Sequence, residues 1–465
     1  MNQDTICAIA TAPGGALGVI RVSGPNAIAV LSHIFIPASR KVRITTCPSH
    51  TLLYGHIHDG DKLIDEVVVS LYRAPHSYTG EESVEISCHG SSYILQQAMQ
   101  LLIRNDCRLA HPGEYTQRAF LNGKMDLSQA EAVADLIAST SEATHRLSMN
   151  QMRGGFSREL AGLRDRLLHF TSLVELELDF SDHEDVEFAD RSELHHLADE
   201  IEAIISRLVR SFSVGNAIKN GVPVAIVGET NSGKSTLLNV LLNEEKAIVS
   251  DIHGTTRDVI EDTVNIGGIT FRFIDTAGIR DTTDTIESLG IKRTFQKLAQ
   301  AEIVLWVIDA READEQYHKL APRLRSLTKD KRLILIFNKS DLLASYESSS
   351  LMVAALSGIE TFSTISISAK YSKRVDELQQ LLVQAASLPS VTPNDVIVTN
   401  VRHYEALSQA LEAIQRVQQG LTDNLSGDFL SQDIRECIYH LSDIVGEVTT
   451  DMVLHNIFKN FCIGK

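Results

Sequence analysis

The strongest chemical signal in the chain is a glycine-rich segment that ends in lysine and serine. The segment, Gly228-Glu229-Thr230-Asn231-Ser232-Gly233-Lys234-Ser235, follows a short apolar run and precedes a helical run. Glycines let the backbone wrap around phosphates with its N–H groups pointing inward, and the next helix adds partial positive charge. Lys234 would reach the β- and γ-phosphates, and Ser235 would ligate Mg²⁺. The segment therefore predicts a P-loop, with these nucleotide contacts: Asn231, Ser232, Gly233, Lys234, Ser235 and Thr236.

Two threonine- and aspartate-containing segments follow at a workable distance. Gly254-Thr255-Thr256-Arg257-Asp258 offers a hydroxyl that can complete the Mg²⁺ shell while the γ-phosphate is present. Asp275-Thr276-Ala277-Gly278 closes an apolar strand, so that Asp275 can hold the magnesium through water while the N–H of Gly278 approaches the γ-phosphate. Their order after the P-loop is the order found in GTPases.

The base that is bound is indicated by Asn338-Lys339-Ser340-Asp341, which ends another apolar strand. A carboxylate at Asp341 can accept hydrogen bonds from the N1–H and the 2-amino group of guanine. Adenine offers neither donor, and a buried carboxylate without a partner is costly. The backbone of Ser368-Ala369-Lys370 is expected to meet the guanine oxygen. Together these segments predict binding of GTP rather than ATP.

The residues that would hydrolyse GTP are less obvious. Ras-like switches carry a water-positioning glutamine just after this aspartate–glycine element, but here Gly278 is followed by Ile279, Arg280 and Asp281. Asn231, inside the P-loop, can place a carbonyl oxygen on a monovalent cation beside the phosphates. The alternative is that Asn231 only favours the loop conformation.

The nucleotide motifs lie in a part of the chain where apolar strands alternate with helices, which predicts a parallel α/β sheet. The predicted strands are at 222–227, 271–274, 303–308 and 333–337. Residues 1–120 mix strands at 16–22, 66–72 and 83–88 with helices near 26–34 and 92–105, which is typical of an α+β domain. Long amphipathic helices are predicted in 121–215 and again at 403–420 and 430–460. The predicted domains are 1–120, 121–215, 216–385 and 386–465, with the α/β domain inserted into one helical domain.

Composition excludes several classes of protein. The 465 residues include 43 basic and 60 acidic side chains, giving a net charge of −17, which argues against a chain that simply coats nucleic acid but leaves room for a local basic patch. Apolar runs stay below the ~18 residues of a membrane span, and the first residues do not read as a secretory signal. Six cysteines without a CxxC pair indicate a reducing cytoplasm.

The nucleotide motifs together with the final residues Phe461-Cys462-Ile463-Gly464-Lys465 resemble the MnmE (TrmE) family of tRNA-modification GTPases. The resemblance extends over essentially the whole chain and includes Arg21-Val22-Ser23-Gly24, 77–82, 111–116 and 118–127. It implies an N-terminal folate-binding and dimerisation domain, followed by a helical domain interrupted by a Ras-like P-loop GTPase domain.

The resemblance also implies partners. The chain would form a homodimer and, with the FAD-dependent protein MnmG (GidA), a heterotetramer. Together they would place an aminomethyl or carboxymethylaminomethyl group on carbon 5 of the wobble uridine of tRNA. The one-carbon unit would come from a tetrahydrofolate derivative, either 5-formyl- or methylene-tetrahydrofolate.

In the GTPase domain, the resemblance implies that two copies pair across K⁺. Asn231 would be a K⁺ ligand, with backbone oxygens of Ser250 and Ile252, while Thr256 ligates Mg²⁺. Glu287 would orient the attacking water through a bridging water; without the resemblance it would be a solvated helix residue. The loop that supplies the other contacts is Ser250, Asp251, Ile252, His253, Gly254 and Thr255.

For folate, the resemblance points to Arg21, Glu85 and Lys124, with Lys465 nearby. Glu85 can pair with pteridine N–H groups, and the cations suit an anionic ligand; the alternative is ion pairing within the domain. Cys462 is expected to be required for tRNA modification but not for GTP hydrolysis, whereas the alternative is a packing thiol.

Two other functions remain open from the sequence. One is a regulatory GTPase of ribosome assembly, with a helical RNA-binding appendage and no one-carbon chemistry. The other is a structural interaction protein that uses GTP only as an assembly switch.

Overall fold

The computed structural model describes residues 4–12, 14–179, 191–243, 262–274, 300–343, 363–386, 395–448, 450–459, 461 and 464. The chain forms two compact units. The first unit comprises Met1–Ala138, Ser148–Ser206 and Glu405–Lys465, and the second comprises Ser139–Leu147 and Arg207–Tyr404. The second unit is therefore inserted, in chain order, into the first.

The first unit contains a mixed sheet of seven strands in the order β3-β4-β5-β6-β2-β1-β7. Neighbouring strands are antiparallel except β1 and β7, which are parallel. Three helices belong to the same part of the chain: α1 (Ala27–Ile34), α2 (Ser92–Arg104) and α3 (Glu114–Leu121). The strands are β1 (Thr5–Ile9), β2 (Leu17–Ser23), β3 (Phe35–Pro37), β4 (Thr51–Asp59), β5 (Lys62–Tyr72), β6 (Ser83–His89) and β7 (Cys107–Leu109).

One face of this sheet is covered by α1 and α2. Along β5, Val67, Val69 and Leu71 are buried while Val68 is 41% exposed, because successive side chains in a strand point to opposite faces. The predicted strands at 16–22, 66–72 and 83–88 and the two predicted helices are confirmed. The sequence thus correctly indicated an α+β domain.

Long helices make up the rest of the first unit and lead into the second. Along α6, Leu160, Leu163, Leu167 and Phe170 are buried at spacings of three and four residues, which is the period of a helix face. The predicted helical stretches are confirmed. They are α4 (Leu127–Ala138), α5 (Glu142–Met152), α6 (Gly155–Asp179), α7 (Arg191–Asn220), α11 (Val401–Thr422), α12 (Gly427–Val445) and α13 (Asp451–Phe458).

The second unit is built on a six-stranded sheet in the order β13-β12-β11-β8-β10-β9. Every residue of β11 is buried, as expected for a strand covered on both faces. The helices among the strands are α8 (Lys234–Asn243), α9 (Ala313–Leu327) and α10 (Val375–Ala386). The strands are β8 (Val222–Val227), β9 (Asp262–Ile266), β10 (Ile269–Phe273), β11 (Ile303–Asp309), β12 (Arg332–Asn338) and β13 (Ser363–Ser366).

The four strands predicted from the sequence are parallel to their neighbours among one another, as expected, but the sheet also has an antiparallel edge strand that was not predicted. β9 pairs antiparallel with β10 through a two-residue turn, Gly267-Gly268, in which both residues have positive φ. Such a turn matches the twist of a hairpin and favours glycine. The double glycine between two alternating runs was the signal for this hairpin.

The predicted fold class is confirmed: an α+β domain is followed by helices that are interrupted by an α/β domain. In the part of the chain that the structure describes, no helix has the length and apolar character needed to cross a membrane.

Two adjacent leucines on α6 provide a test of this packing. Leu167 is fully buried and Leu168 is 49% exposed. We expect Leu167→Ala to lower the free energy of unfolding by about 2–5 kcal/mol, because the cavity cannot collapse completely. Leu168→Ala carries the same change in helix propensity and should cost less than about 1 kcal/mol. Urea unfolding, monitored by circular dichroism, gives the free energy of unfolding of each variant. Equal decreases in the two variants would contradict this packing of α6.

Candidate functional site

The P-loop segment lies between β8 and α8, and two of its residues fix its shape. Gly228 has φ +153°, and a Cβ there would overlap the carbonyl oxygen of Val307 on β11. Asn231 is in the left-handed region, with φ 63°, and its side chain is exposed. The backbone can therefore turn sharply from the strand into the helix.

Lys234, the first residue of α8, folds back over this turn. Its Nζ donates hydrogen bonds to the carbonyl oxygens of Gly228, at 3.0 Å, and Glu229, at 2.6 Å. Burial lowers the pKa of Lys234. A phosphate group would offset that effect, since a nearby anion favours the charged ammonium. Lys234, Ser235 and Thr236 also stand at a helix N-terminus, which attracts anions.

Asn338, at the end of β12, ties the P-loop to the segment after β13. Its Nδ2 donates to the carbonyl oxygen of Ser232 at 2.9 Å, and its Oδ1 accepts from the N–H of Ala369 at 3.0 Å. Asn338, Ser232 and Ala369 are each at most 2% exposed. Gly233 is required beside this bridge, because a Cβ there would overlap Nδ2 of Asn338.

The predicted guanine-reading residues are brought together at the same edge. Ser368 Oγ donates to Asp341 Oδ1 at 2.5 Å, and the N–H of Ser340 donates to the carbonyl oxygen of Ile367 at 3.1 Å. In the segment 368–370, whose backbone was expected to meet the guanine oxygen, the N–H of Ala369 donates to Asn338 in this structure. The Nζ of Lys370 lies 5.2 Å from the ring centre of Tyr371.

Lys339 is held by a carboxylate that sequence reasoning did not single out. Its Nζ lies 2.7 Å from Oδ2 of Asp309, the last residue of β11. Arg311 donates to the same carboxylate from Nη2 at 2.7 Å. These hydrogen bonds, first from Arg311 and then from Lys339, hold the pKa of Asp309 well below its usual range.

Several predicted site residues lie outside the described residues, so nothing is added about their positions. In the nucleotide-binding domain they are Ser250, Asp251, Ile252, His253, Gly254, Thr255, Thr256, Asp275, Thr276, Ala277, Gly278 and Glu287, and at the end of the chain they are Cys462 and Lys465.

In the first unit, the predicted folate residues Arg21 and Glu85 are paired with each other. They face each other across β2 and β6, and Arg21 donates to Glu85 Oε1 from Nε at 2.9 Å and from Nη2 at 2.7 Å. The guanidinium also lies 5.4 Å from the ring centre of Tyr78 and 5.6 Å from that of Tyr115. Nη1 is 3.4 Å from the carbonyl oxygen of Gly464.

This arrangement includes the ion pair that sequence reasoning had left open as the alternative to folate binding. It also brings the end of the chain to the pair, although Gly464 follows Arg21 by 443 residues. Lys124, the third predicted folate residue, contacts the segment that carries Tyr78: its Nζ donates to the carbonyl oxygen of Pro75 at 3.0 Å.

A buried ionic network beside this region was also missed. Arg118, whose side chain is 7% exposed, pairs with Asp4 at 2.7 Å, Glu114 at 3.0 Å and Glu81 at 3.2 Å. Arg108 shares Asp4 and Glu114. The members come from three separate stretches of the chain, at Asp4, at Glu81 and at 108–118, so the sequence carries little local signal beyond the Glu114–Arg118 spacing on α3.

The fold and the site together define a P-loop GTPase. Within that class, the chain belongs to the MnmE family of tRNA modification GTPases. The family described as MnmE helical domain matches residues 127–462, and the one described as GTP-binding protein TrmE N-terminus matches residues 5–124.

Relatives confirm the assignment over the full length. The protein named tRNA modification GTPase MnmE from Bacteroides thetaiotaomicron is 69% identical, and that from Bacteroides fragilis is 70% identical, each over 100% of both chains. The one from Parabacteroides distasonis is 63% identical, also over 100% of both chains. A solved structure of Era with MgGDPNP and a 16S ribosomal RNA fragment is 28% identical over 41% of this chain and 66% of that chain, at a TM-score of 0.29, and adds nothing to the assignment.

The bridging amide gives a direct test of the site. We expect Asn338→Ala to weaken binding of fluorescent GDP by about ten- to a hundredfold, because it leaves a buried acceptor and a buried donor unsatisfied. Asn338→Asp keeps the acceptor for Ala369 but turns a second oxygen toward the carbonyl of Ser232. Its affinity for GDP should therefore fall by at least as much as that of Asn338→Ala. Asn239→Ala, on the exposed face of α8, is the control. Wild-type affinity in either Asn338 variant would contradict the bridge.

Proposed function

We propose that this GTPase acts with MnmG to place an aminomethyl or carboxymethylaminomethyl group on carbon 5 of the wobble uridine of tRNA. The observation that carries the proposal is the contact between Gly464 and Arg21, since Gly464 belongs to the family's terminal motif and Arg21, paired with Glu85, is a predicted folate residue. The full-length similarity to proteins named tRNA modification GTPase supports the tRNA substrate. The cytoplasm is the compartment in which we expect this reaction.

A tetrahydrofolate derivative, 5-formyl- or methylene-tetrahydrofolate, is the one-carbon donor that we propose for the first unit. The residues present fit such a ligand: Tyr78, which is 36% exposed, provides aromatic surface beside Arg21, and Glu85 offers a carboxylate that is 27% exposed. Glu85 can accept from pteridine N–H groups, and Lys124 and Lys465 add positive charge for an anionic tail. When bound, the folate would supply the one-carbon unit.

Cys462 is the thiol that we propose for the modification step. The other five cysteines are all buried, and burial raises the pKa of Cys88 and Cys437 to about 12, so these two thiols resist ionisation. Cys462 lies two residues before Gly464, whose carbonyl approaches Arg21.

A reconstituted reaction tests this proposal. The purified chain, FAD-loaded MnmG, tRNA, GTP, an amine source (ammonium or glycine) and methylene-tetrahydrofolate labelled in its one-carbon unit should place label on the wobble uridine. We expect Cys462→Ser to abolish label transfer while GTP hydrolysis continues at the wild-type rate, because the thiol is distant in sequence from the nucleotide motifs. Equal loss of both activities would contradict separate roles. Full activity of the chain as a GTPase without label transfer would favour a regulatory GTPase of ribosome assembly or a GTP-dependent assembly switch.

For GTP hydrolysis, we propose a homodimer in which two nucleotide-binding domains pair when K⁺ is present. Asn231 fits a cation ligand, because its side chain is exposed next to the phosphate loop and the left-handed backbone turns it away from the core. Thr255 and backbone oxygens of Ser250 and Ile252 would complete the K⁺ shell. Ser235 and Thr256 would hold Mg²⁺, and Glu287 would orient water.

Salt substitution tests the cation requirement. We expect GTP, but not ATP, to be hydrolysed, with strong turnover in KCl and weak turnover in NaCl at matched ionic strength. The physical reason is that the cation site, not general screening, supplies positive charge at the phosphates. Equal rates in the two salts would exclude the K⁺ mechanism and leave the guanine assignment standing.

A further inference from the structure

Asp309 is a buried carboxylate that belongs to none of the recognised nucleotide motifs. It is the last residue of β11 and lies opposite Asn338 of β12 in the parallel register. Its side chain is 4% exposed. The strand therefore delivers a charge to the edge of the sheet where the nucleotide-binding segments meet.

The carboxylate of Asp309 does not need a lysine to be stable in this position. Arg311 alone gives it three hydrogen bonds, from its backbone N–H at 3.1 Å, from Nε at 3.1 Å and from Nη2 at 2.7 Å. The carboxylate accepts a further bond from Lys339 at 2.7 Å, so it also fixes the position of that ammonium.

Lys339 has a long side chain on a backbone whose conformation is restricted. Its backbone has φ 61°, which is uncommon for a residue with a side chain, and it stands between the bridging Asn338 and the base-reading Asp341. Because its ammonium is bound to Asp309, the side chain is restrained at both ends, which limits the rotamers that its four methylenes can sample. A lysine stem held in this way offers apolar surface while its charge is satisfied elsewhere.

We propose that Asp309 is a positioning residue for guanine nucleotides, which acts by holding Lys339 so that its methylenes cover one flat face of the base read by Asp341. The inference rests on the proposed guanine site. If Lys339 were free, nucleotide binding would have to immobilise it, and freezing one long side chain weakens binding by about three- to tenfold. The carboxylate itself does not touch the nucleotide.

The test uses the full chain and fluorescent GDP and GTP. Asp309→Asn keeps the shape and removes the charge, so we expect affinity for both nucleotides to fall by about three- to tenfold, with kcat at saturating GTP unchanged. Lys339→Ala should weaken binding by a similar factor. In the double variant the two losses of binding free energy should not add, because each substitution removes the same contact between the methylenes of Lys339 and the base.

Two outcomes overturn the inference: wild-type affinity in Asp309→Asn, or losses that multiply in the double variant, which would mean that Asp309 acts through the sheet rather than through Lys339. Glu302→Gln, the same isosteric change just before the other end of β11, is the control and should leave affinity unchanged. The unfolding midpoint of each variant, followed by the fluorescence of the single tryptophan, Trp306, shows that β11 is intact.

A further variant separates failure of the inference from failure of the proposed site. Asp341→Asn should lose GTP and gain xanthosine triphosphate, because xanthine presents an acceptor where guanine presents its amino group. If Asp341→Asn keeps its GTP affinity, the guanine site itself is misplaced. If it loses GTP while Asp309→Asn does not, only the role of Asp309 is wrong.

Discussion

The nucleotide site depends on one buried side-chain amide. Asn338 donates to the P-loop at Ser232 and accepts from Ala369, so two loops that are far apart in sequence are fixed to the end of β12. The bridge works because parallel strands deliver their carboxyl ends to one edge of the sheet. It also explains Gly233, where any Cβ would displace the amide. Without this bridge, the side-chain hydrogen bonds that join the phosphate-binding loop at Ser232 to the segment at Ala369 would be lost.

A second long-range contact organises the first unit. Arg21 and Glu85 pair across neighbouring antiparallel strands, and the carbonyl oxygen of Gly464 approaches the same guanidinium. Gly464 is thereby placed against the sheet that the first strands of the chain form. The nucleotide site and this contact belong to different compact units. Our proposal therefore assigns GTP hydrolysis to one unit and the one-carbon chemistry to the other.

Much of this was predictable because its signals are local. The apolar runs at 222–227, 303–308 and 333–337 became β8, β11 and β12, and the helical stretches followed from their periodicity. The antiparallel β9 was missed, although Gly267-Gly268 marked the hairpin. The Arg118 network was beyond sequence reasoning, because ion pairs with Asp4 and Glu81 join residues 114 and 37 positions apart.

The sequence by itself determined the class of nucleotide site, since spacing within short motifs such as Gly228–Ser235 and Asn338–Asp341 dictates which backbone and side-chain groups can meet a phosphate or a base. Only the tertiary structure decided what supports those motifs. The bond from Lys339 to Asp309 arises when β11 and β12 become neighbours, and the contact of Gly464 with Arg21 joins residues 443 positions apart. Outside hairpins such as β9–β10, neighbouring strands are chosen by burial and hydrogen bonding over the whole sheet, and local patterns do not encode that choice.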